Sequence, residues 1–255
     1  MQVHTVENNK KKLSAIVDVD SFFYGIFDED YRLVFSERKS FKSSISEDQF
    51  KSVLNSIPQL DGEYGEIHIT CKTPHASFLP KDVELPPSTD NFSSWISNPF
   101  IHQNVEVYWS IDDQLISALQ YKFPKTEILH ISTVLSDYIY PSQRKVFLAH
   151  FEKETLHLMY YKHGLFHYYN AFKVNEGEDY LYFLMQGFQV LGLDPAKDSL
   201  MVSGDVIEGS QLHKLIQRYV VNIDFIQPER FLLKESLPSA IKHRYFDLYA
   251  NVICG

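Results

Sequence analysis

The sequence predicts an α/β protein of two tandem domains, each a mixed five-stranded sheet with flanking helices. Two observations carry that expectation. Strand-length apolar runs and helix-length amphipathic runs follow one another in an order that occurs twice, and the polar stretch around Pro141 separates the two series. The 255 residues also fit two compact domains of roughly 100 to 150 residues each. The expected domains are residues 1–143 and 144–255.

In the first half, Leu13 to Asp20, Phe22 to Phe27 and Tyr31 to Phe35 are apolar runs with short polar links, the pattern of an antiparallel meander. Ser46 with Gln49 three residues later forms a capping box. Phe50, Val53, Leu54 and Ile57 follow at helical spacing, and Pro58 stops the helix. Glu66 to Cys71 reads as a strand. From Lys72 to Asn98, Pro74, Pro80, Pro86 and Pro87 exclude long regular elements, which predicts a surface insertion in the first domain. Val105 to Trp109 (strand), Asp112 to Tyr121 (helix), Glu127 to Ile131 (strand) and Ser132 to Tyr140 (helix) complete the half.

The second half begins with strands at Val146 to His150, Thr155 to Tyr161 and Leu165 to Phe172. Lys162-His163-Gly164 makes a hairpin turn that needs positive φ. Leu181, Leu184, Phe188 and Leu191 mark an amphipathic helix over Asp179 to Leu191, stopped by Gly192. Ser199 to Ser203 (strand), Ser210 to Tyr219 (helix), Val220 to Ile226 (strand) and Ser239 to Asn251 (helix) follow.

One copy of this order is that of the ribonuclease H-like fold, and two copies in tandem are similar to the actin, heat-shock chaperone and sugar-kinase superfamily. The second half is more specific. His163-Gly164-Leu165-Phe166-His167-Tyr168-Tyr169-Asn170-Ala171-Phe172, then Glu178 to Phe183 and Ser203-Gly204, resemble an uncharacterised bacterial family of unknown function, found mainly in Bacteroidetes, with an actin-like ATPase fold. The resemblance spans nearly the whole chain and implies a fold without an activity. Similar element order occurs in actin-like scaffolds of pilus and secretion machines that bind partner peptides, so a protein partner is the matching expectation.

A formal net charge of −9 repels phosphate backbones and anionic membrane surfaces, so nucleic acid is not an expected partner. The basic run Lys10-Lys11-Lys12 reads as a solvated strand entrance. Two cysteines, Cys71 and Cys254, are too few for a disulfide scaffold and suit a reducing compartment. The polar first residues lack a signal-peptide core, and no run reaches the ~20 apolar residues of a membrane span, so no membrane insertion and a cytoplasmic location are expected.

An actin-like ATPase grips nucleotide phosphates with a glycine-containing hairpin turn in each half, because glycine lets backbone amides approach the phosphates. Here the first turn reads Asp18-Val19-Asp20-Ser21 and the second Glu152-Lys153-Glu154-Thr155, with carboxylates in place of glycine. The adenosine-side glycine pair is reduced to Ser203-Gly204. The expectation is a non-catalytic, pseudo-ATPase protein without cofactor, binding a protein partner or a small ligand at the interdomain cleft. The resemblance places Asp18, Asp20 and Ser21 on one cleft wall, Glu152 and Thr155 on the other and Gly204 at the floor. The alternative is a divergent Mg-dependent ATPase or phosphotransferase in which Asp18 orients metal-bound water and ATP with Mg is required.

Other chemistries find less support. A two-metal nuclease would need partners for Asp18 or Asp20, but Glu47 and Asp48 suit the first turn of a helix as dipole complements. His150, His157, His163 and His167 have no carboxylate or cysteine at a ligand spacing, so no metal site is expected and the histidines read as solvated or core-edge. No Gly-x-Ser-x-Gly elbow is present, and neither cysteine has an identifiable base. Tyr160, Tyr161, Phe166, Tyr168, Tyr169 and Phe172 read as sheet packing, with the lining of a peptide groove as the alternative. Phe92, Trp95 and Phe100 must bury under the insertion or against a partner.

Overall fold

The computed structural model describes residues 11–42, 45–83, 95–140, 145–226 and 243–254. Lys10, Pro86, Pro87, Phe92, Pro141 and the Ser239 start of the closing helix lie outside these residues.

The first sheet contains β1 (Lys12–Val17), β2 (Ser21–Phe27), β3 (Leu33–Ser40), β4 (Glu66–Cys71) and β8 (Ile128–His130) in the order β3-β2-β1-β4-β8. The second contains β9 (Val146–Phe151), β10 (Thr155–Lys162), β11 (Leu165–Lys173), β12 (Leu200–Gly204) and β13 (Ile223–Phe225) in the order β11-β10-β9-β12-β13. In each sheet the meander is antiparallel and the remaining strands run parallel to the first, so both are the mixed five-stranded sheets the sequence predicts. β1 and β9 are buried along their whole length because they lie at the sheet centres with both faces covered. The helices are α1 (Glu47–Asn55), α2 (Asp113–Lys122), α3 (Ile131–Ile139), α4 (Gly177–Val190), α5 (Gln211–Gln217) and α6 (Phe246–Cys254). The expected capping box is formed, Ser46 Oγ accepting from Gln49 N and Gln49 Oε1 from Ser46 N.

Two expectations change. Val105 to Trp109 does not join the main run of elements: β7 (Glu106–Trp109) forms a separate antiparallel sheet with β5 (Ala76–Leu79) and β6 (Ile96–Pro99). The prolines permit this because each strand is only four residues long and Pro80 and Pro99 fall at strand ends. β3 also runs on to Ser40, well past Phe35, because its polar second half, Ser36 to Ser40, is a sheet edge that needs no apolar pattern.

The segment that carries this small sheet bonds to the second half. Gln103 Nε2 donates to Gly164 O (2.8 Å) and Gln103 Oε1 accepts from Phe166 N (3.1 Å), so one carboxamide does for the edge of β11 what a neighbouring strand would. Phe78 stacks on Phe166 and meets Tyr169, and the buried Phe100 meets Phe166 edge-on. Part of the aromatic run thus seals an internal seam, while Phe172 turns to the other face and stacks on Phe183 of α4. Trp95 stays over a third exposed.

Between the two sheets lie α3 and α6. Ile131, Val134 and Leu135 of α3 pack with Leu148, Met159 and Tyr161 of the second sheet, and Leu248, Tyr249 and Val252 of α6 pack with Ile16, Phe23 and Phe27 of the first. Asn251 makes the α6 contact specific: Nδ2 donates to Ser14 Oγ and His68 O, and Oδ1 accepts from Thr70 Oγ1 at 2.6 Å.

The duplicated order extends to individual hydrogen bonds. Asp18 N donates to Ser21 O and Glu152 N to Thr155 O, each at 2.9 Å. Phe41 N donates to Asp20 O as Val174 N does to Glu154 O, and Lys72 N to Val17 O as Asp205 N does to Phe151 O. The sequences of these turns share no residue, yet the backbone repeats. Gly204 is where the second copy needs glycine: φ is +85°, and a Cβ there would overlap the Phe151 carbonyl oxygen. Gly204→Ala is expected to lower the unfolding free energy by at least about 2 kcal/mol, read from urea denaturation midpoints.

Candidate functional site

The two matched turns face each other where the halves meet. Asp18 follows β1, Glu152 follows β9, and Lys72 follows β4. Because β4 lies beside β1, the first residue beyond it emerges next to the first turn. The Lys72 ammonium reaches across and pairs with Glu152 Oε1, and its second partner is Asp247 Oδ2 of α6 at 2.8 Å. All three residues are nearly enclosed, Lys72 being 5% exposed, Glu152 9% and Asp247 2%.

Glu152 Oε1 also faces two buried histidines, His150 Nε2 at 3.0 Å and His157 Nε2 at 3.6 Å. Each ring is held by its other nitrogen, His150 Nδ1 against Ser203 Oγ (2.9 Å) and His157 Nδ1 against Tyr169 OH (2.7 Å). Here the sequence reading needs correction. His150 and His157 are neither solvated nor without a carboxylate, because Glu152 joins them across the β9–β10 hairpin, where His150 and His157 are directly paired.

Burial alone would raise the carboxyls of Glu152 and Asp247. The Lys72 charge overcomes it, holding Glu152 well below the usual carboxylate range and Asp247 below its ordinary value. Burial likewise opposes the Lys72 ammonium, and Asp247 with Glu152 raises it above its ordinary value. The His157 imidazole is lowered, chiefly by burial. Asp18 differs: burial and the nearby Glu152 push its carboxyl up to about 6.

His150, Glu152 and Asp247 present ligand atoms within 4.8 Å of one another, a spacing suited to a metal ion. The Lys72 ammonium already lies on both carboxylates, and a divalent ion would have to sit against it. The cation of this cluster is the chain's own lysine. For the same reason Lys72 has no charge left for a phosphate.

Of the residues singled out from the sequence, Glu152 lies in the ion pair and Asp18 is half-buried within reach of its charge. Asp20, Ser21 and Thr155 shape the turns through their carbonyls, and Gly204 lies beside Phe151. Sequence reasoning missed Lys72, read as the edge of the insertion, and Asp247. The available signal was a single acid within the apolar run Phe246-Asp247-Leu248-Tyr249-Ala250.

Removing one member of a buried ion pair strands the other. Lys72→Met is expected to cost about 3 to 5 kcal/mol in urea unfolding, and adding Glu152→Gln and Asp247→Asn to it should recover most of that loss.

The chain is similar over its full length to a solved protein of unknown function from Bacteroides thetaiotaomicron with an actin-like ATPase fold, at 17% identity, a TM-score of 0.78 and full coverage of both chains. It is also similar to a chain of the PilM–PilN type IV pilus biogenesis complex (7% identity, TM-score 0.61, 95% of this chain and 97% of that one). A third similar structure is the ethanolamine utilization protein EutJ from Carboxydothermus hydrogenoformans (8% identity, TM-score 0.54, 95% and 90%). No curated protein matches the chain. Among the described residues no helix is long and apolar enough to cross a membrane. The fold is the actin-like ATPase fold, and, with residues 2–223 matching its family, the chain belongs to the family described as protein of unknown function DUF3822.

Proposed function

We propose that this protein is a non-catalytic, pseudo-ATPase form of the actin-like fold that acts by binding a protein partner. The observation that carries the reading is the Lys72 ion pair with Glu152 and Asp247, which fills the space between the two turns with the chain's own charges. A nucleotide there would meet Asp18, Asp20 and Glu154 on turns without glycine, and a lysine already neutralised. The turns thus lack both the close amide approach and the free positive charge that phosphoryl transfer requires. ATP and Mg are accordingly not cofactors of this protein.

A protein partner suits the fold, since the PilM–PilN structure is itself a complex. A net charge of −9 disfavours nucleic acid, and the two free cysteines suit the cytoplasm.

The test is a thermal-shift titration with ATP and ADP at millimolar concentration, with and without Mg²⁺. Saturation to a hundred times Kd would add about 2.7 kcal/mol, a rise of several degrees in a protein of this size. The expected result is an unchanged Tm in all four conditions. A Mg²⁺-dependent rise would overturn the reading in favour of a divergent ATPase or phosphotransferase.

A further inference from the structure

We propose that the outer face of α4 and α5 is the interface of a two-fold homodimer, in which Glu178 of each copy pairs with Arg218 of the other. None of the residues lining this face belongs to the Lys72 ion pair, so the dimer does not depend on what the junction binds.

Exposed apolar surface is concentrated here. Among the described residues six large apolar side chains are more than half exposed, and four of them, Tyr182, Val190, Tyr219 and Val221, belong to this face. The other two, Tyr121 and Leu165, stand apart on α2 and β11. Tyr182 and Tyr219 line a hollow of about 680 Å³ together with Met185, Gln189 and Pro195. Val190 follows Gln189 at the end of α4, and Val221 N donates to Pro195 O at 3.0 Å, so both valines extend the same patch. Contiguous apolar surface of this kind marks a protein contact, and methionine lets such a surface adapt to its occupant.

The order of groups along the face selects the occupant. A second hollow, of about 830 Å³, shares Glu178 with the first and is lined by Ile207, Leu212, Lys214, Leu215 and Arg218. α4 starts against α5, where a Cβ on Gly177 would lie 4.0 Å from Leu215 Cδ2. The face therefore runs from an apolar end at Ile207 and Leu212, through a charged middle at Glu178, Lys214 and Arg218, to an apolar end at Tyr182, Met185 and Tyr219. A two-fold axis through the middle lays each apolar end on the other and each Glu178 on an Arg218. Glu178, Lys214 and Arg218 are exposed and, among the described residues, enter no ion pair, whereas Asp205 on the same rim is already held by Arg244 at 2.9 Å. Free charges of both signs on one patch match a second copy of that patch, and a partner of a single sign would leave one of them opposed. The net charge of −9 on each copy acts at long range and is screened beyond the Debye length of ~8 Å at physiological salt.

The experiment is sedimentation velocity on the full chain at about 0.15 M salt, over concentrations from about 1 to 300 μM. The parent is expected to pass from monomer to dimer across this range. Tyr182→Ala, Glu178→Arg and Arg218→Glu are each expected to weaken dimerisation by about tenfold or more. All three side chains are exposed, so Tm should stay near that of the parent. Each charge variant alone sets like charges against each other twice, but a Glu178→Arg copy paired with an Arg218→Glu copy regains both opposite-charge contacts. An equal mixture of these two variants is therefore expected to dimerise within about threefold of the parent. Charge variants that associate as the parent does, or a mixture no more associated than its two components, would each overturn the dimer. A parent that stays monomeric at about 300 μM would overturn it as well and assign the face to a different protein.

Discussion

The Lys72 ammonium between Glu152 and Asp247 is the contact on which the arrangement of the two halves turns. It joins the end of a strand in the first sheet, the end of a strand in the second and the helix between them, at a point where both halves direct acidic turns at each other. Without it, those carboxylates would be enclosed with no countercharge, a situation that proteins resolve by moving apart or by taking up protons. With it, the junction becomes a packed polar core whose remaining donors, His150 and His157, are aimed by Ser203 and Tyr169.

Other contacts work in the same direction. α3 and α6 are shared between the sheets, and the segment carrying the β5–β7–β6 sheet fastens onto β11 through Gln103 and the Phe78–Phe100–Phe166 cluster. Interfaces this apolar resemble a divided core more than the polar contacts of hinged domains. A nucleotide-driven actin-like machine needs a cleft that opens. In this chain the corresponding region is crossed by a buried ion pair and flanked by shared helices.

Much of the architecture was legible in the sequence, because β1 and β9 are continuous apolar runs, the hairpins carry turn residues and α1 announces itself with a capping box. The His163-Gly164 turn was legible for the same reason, both residues having positive φ. Elements read poorly where burial did not impose a pattern: the polar outer half of β3, and the four-residue strands β5 and β6, set among Pro74, Pro80 and Pro99. The acidic turns were visible as departures from a glycine pattern. Their countercharge was not, because Lys72 and Asp247 are far apart in sequence and only the parallel pairing of β4 with β1 and the return of α6 onto the first sheet bring them together. A buried ion pair leaves no periodic trace in a linear sequence.

The most direct test of a junction closed by its own charges is a high-resolution crystal structure determined from crystals grown in millimolar ATP and Mg²⁺. The account predicts continuous density from Lys72 Nζ to the carboxylates of Glu152 and Asp247, with no nucleotide between the turns at Asp18 and Glu152. A Lys72 side chain turned away from Glu152, with phosphate or a metal ion lying between the two turns, would contradict it.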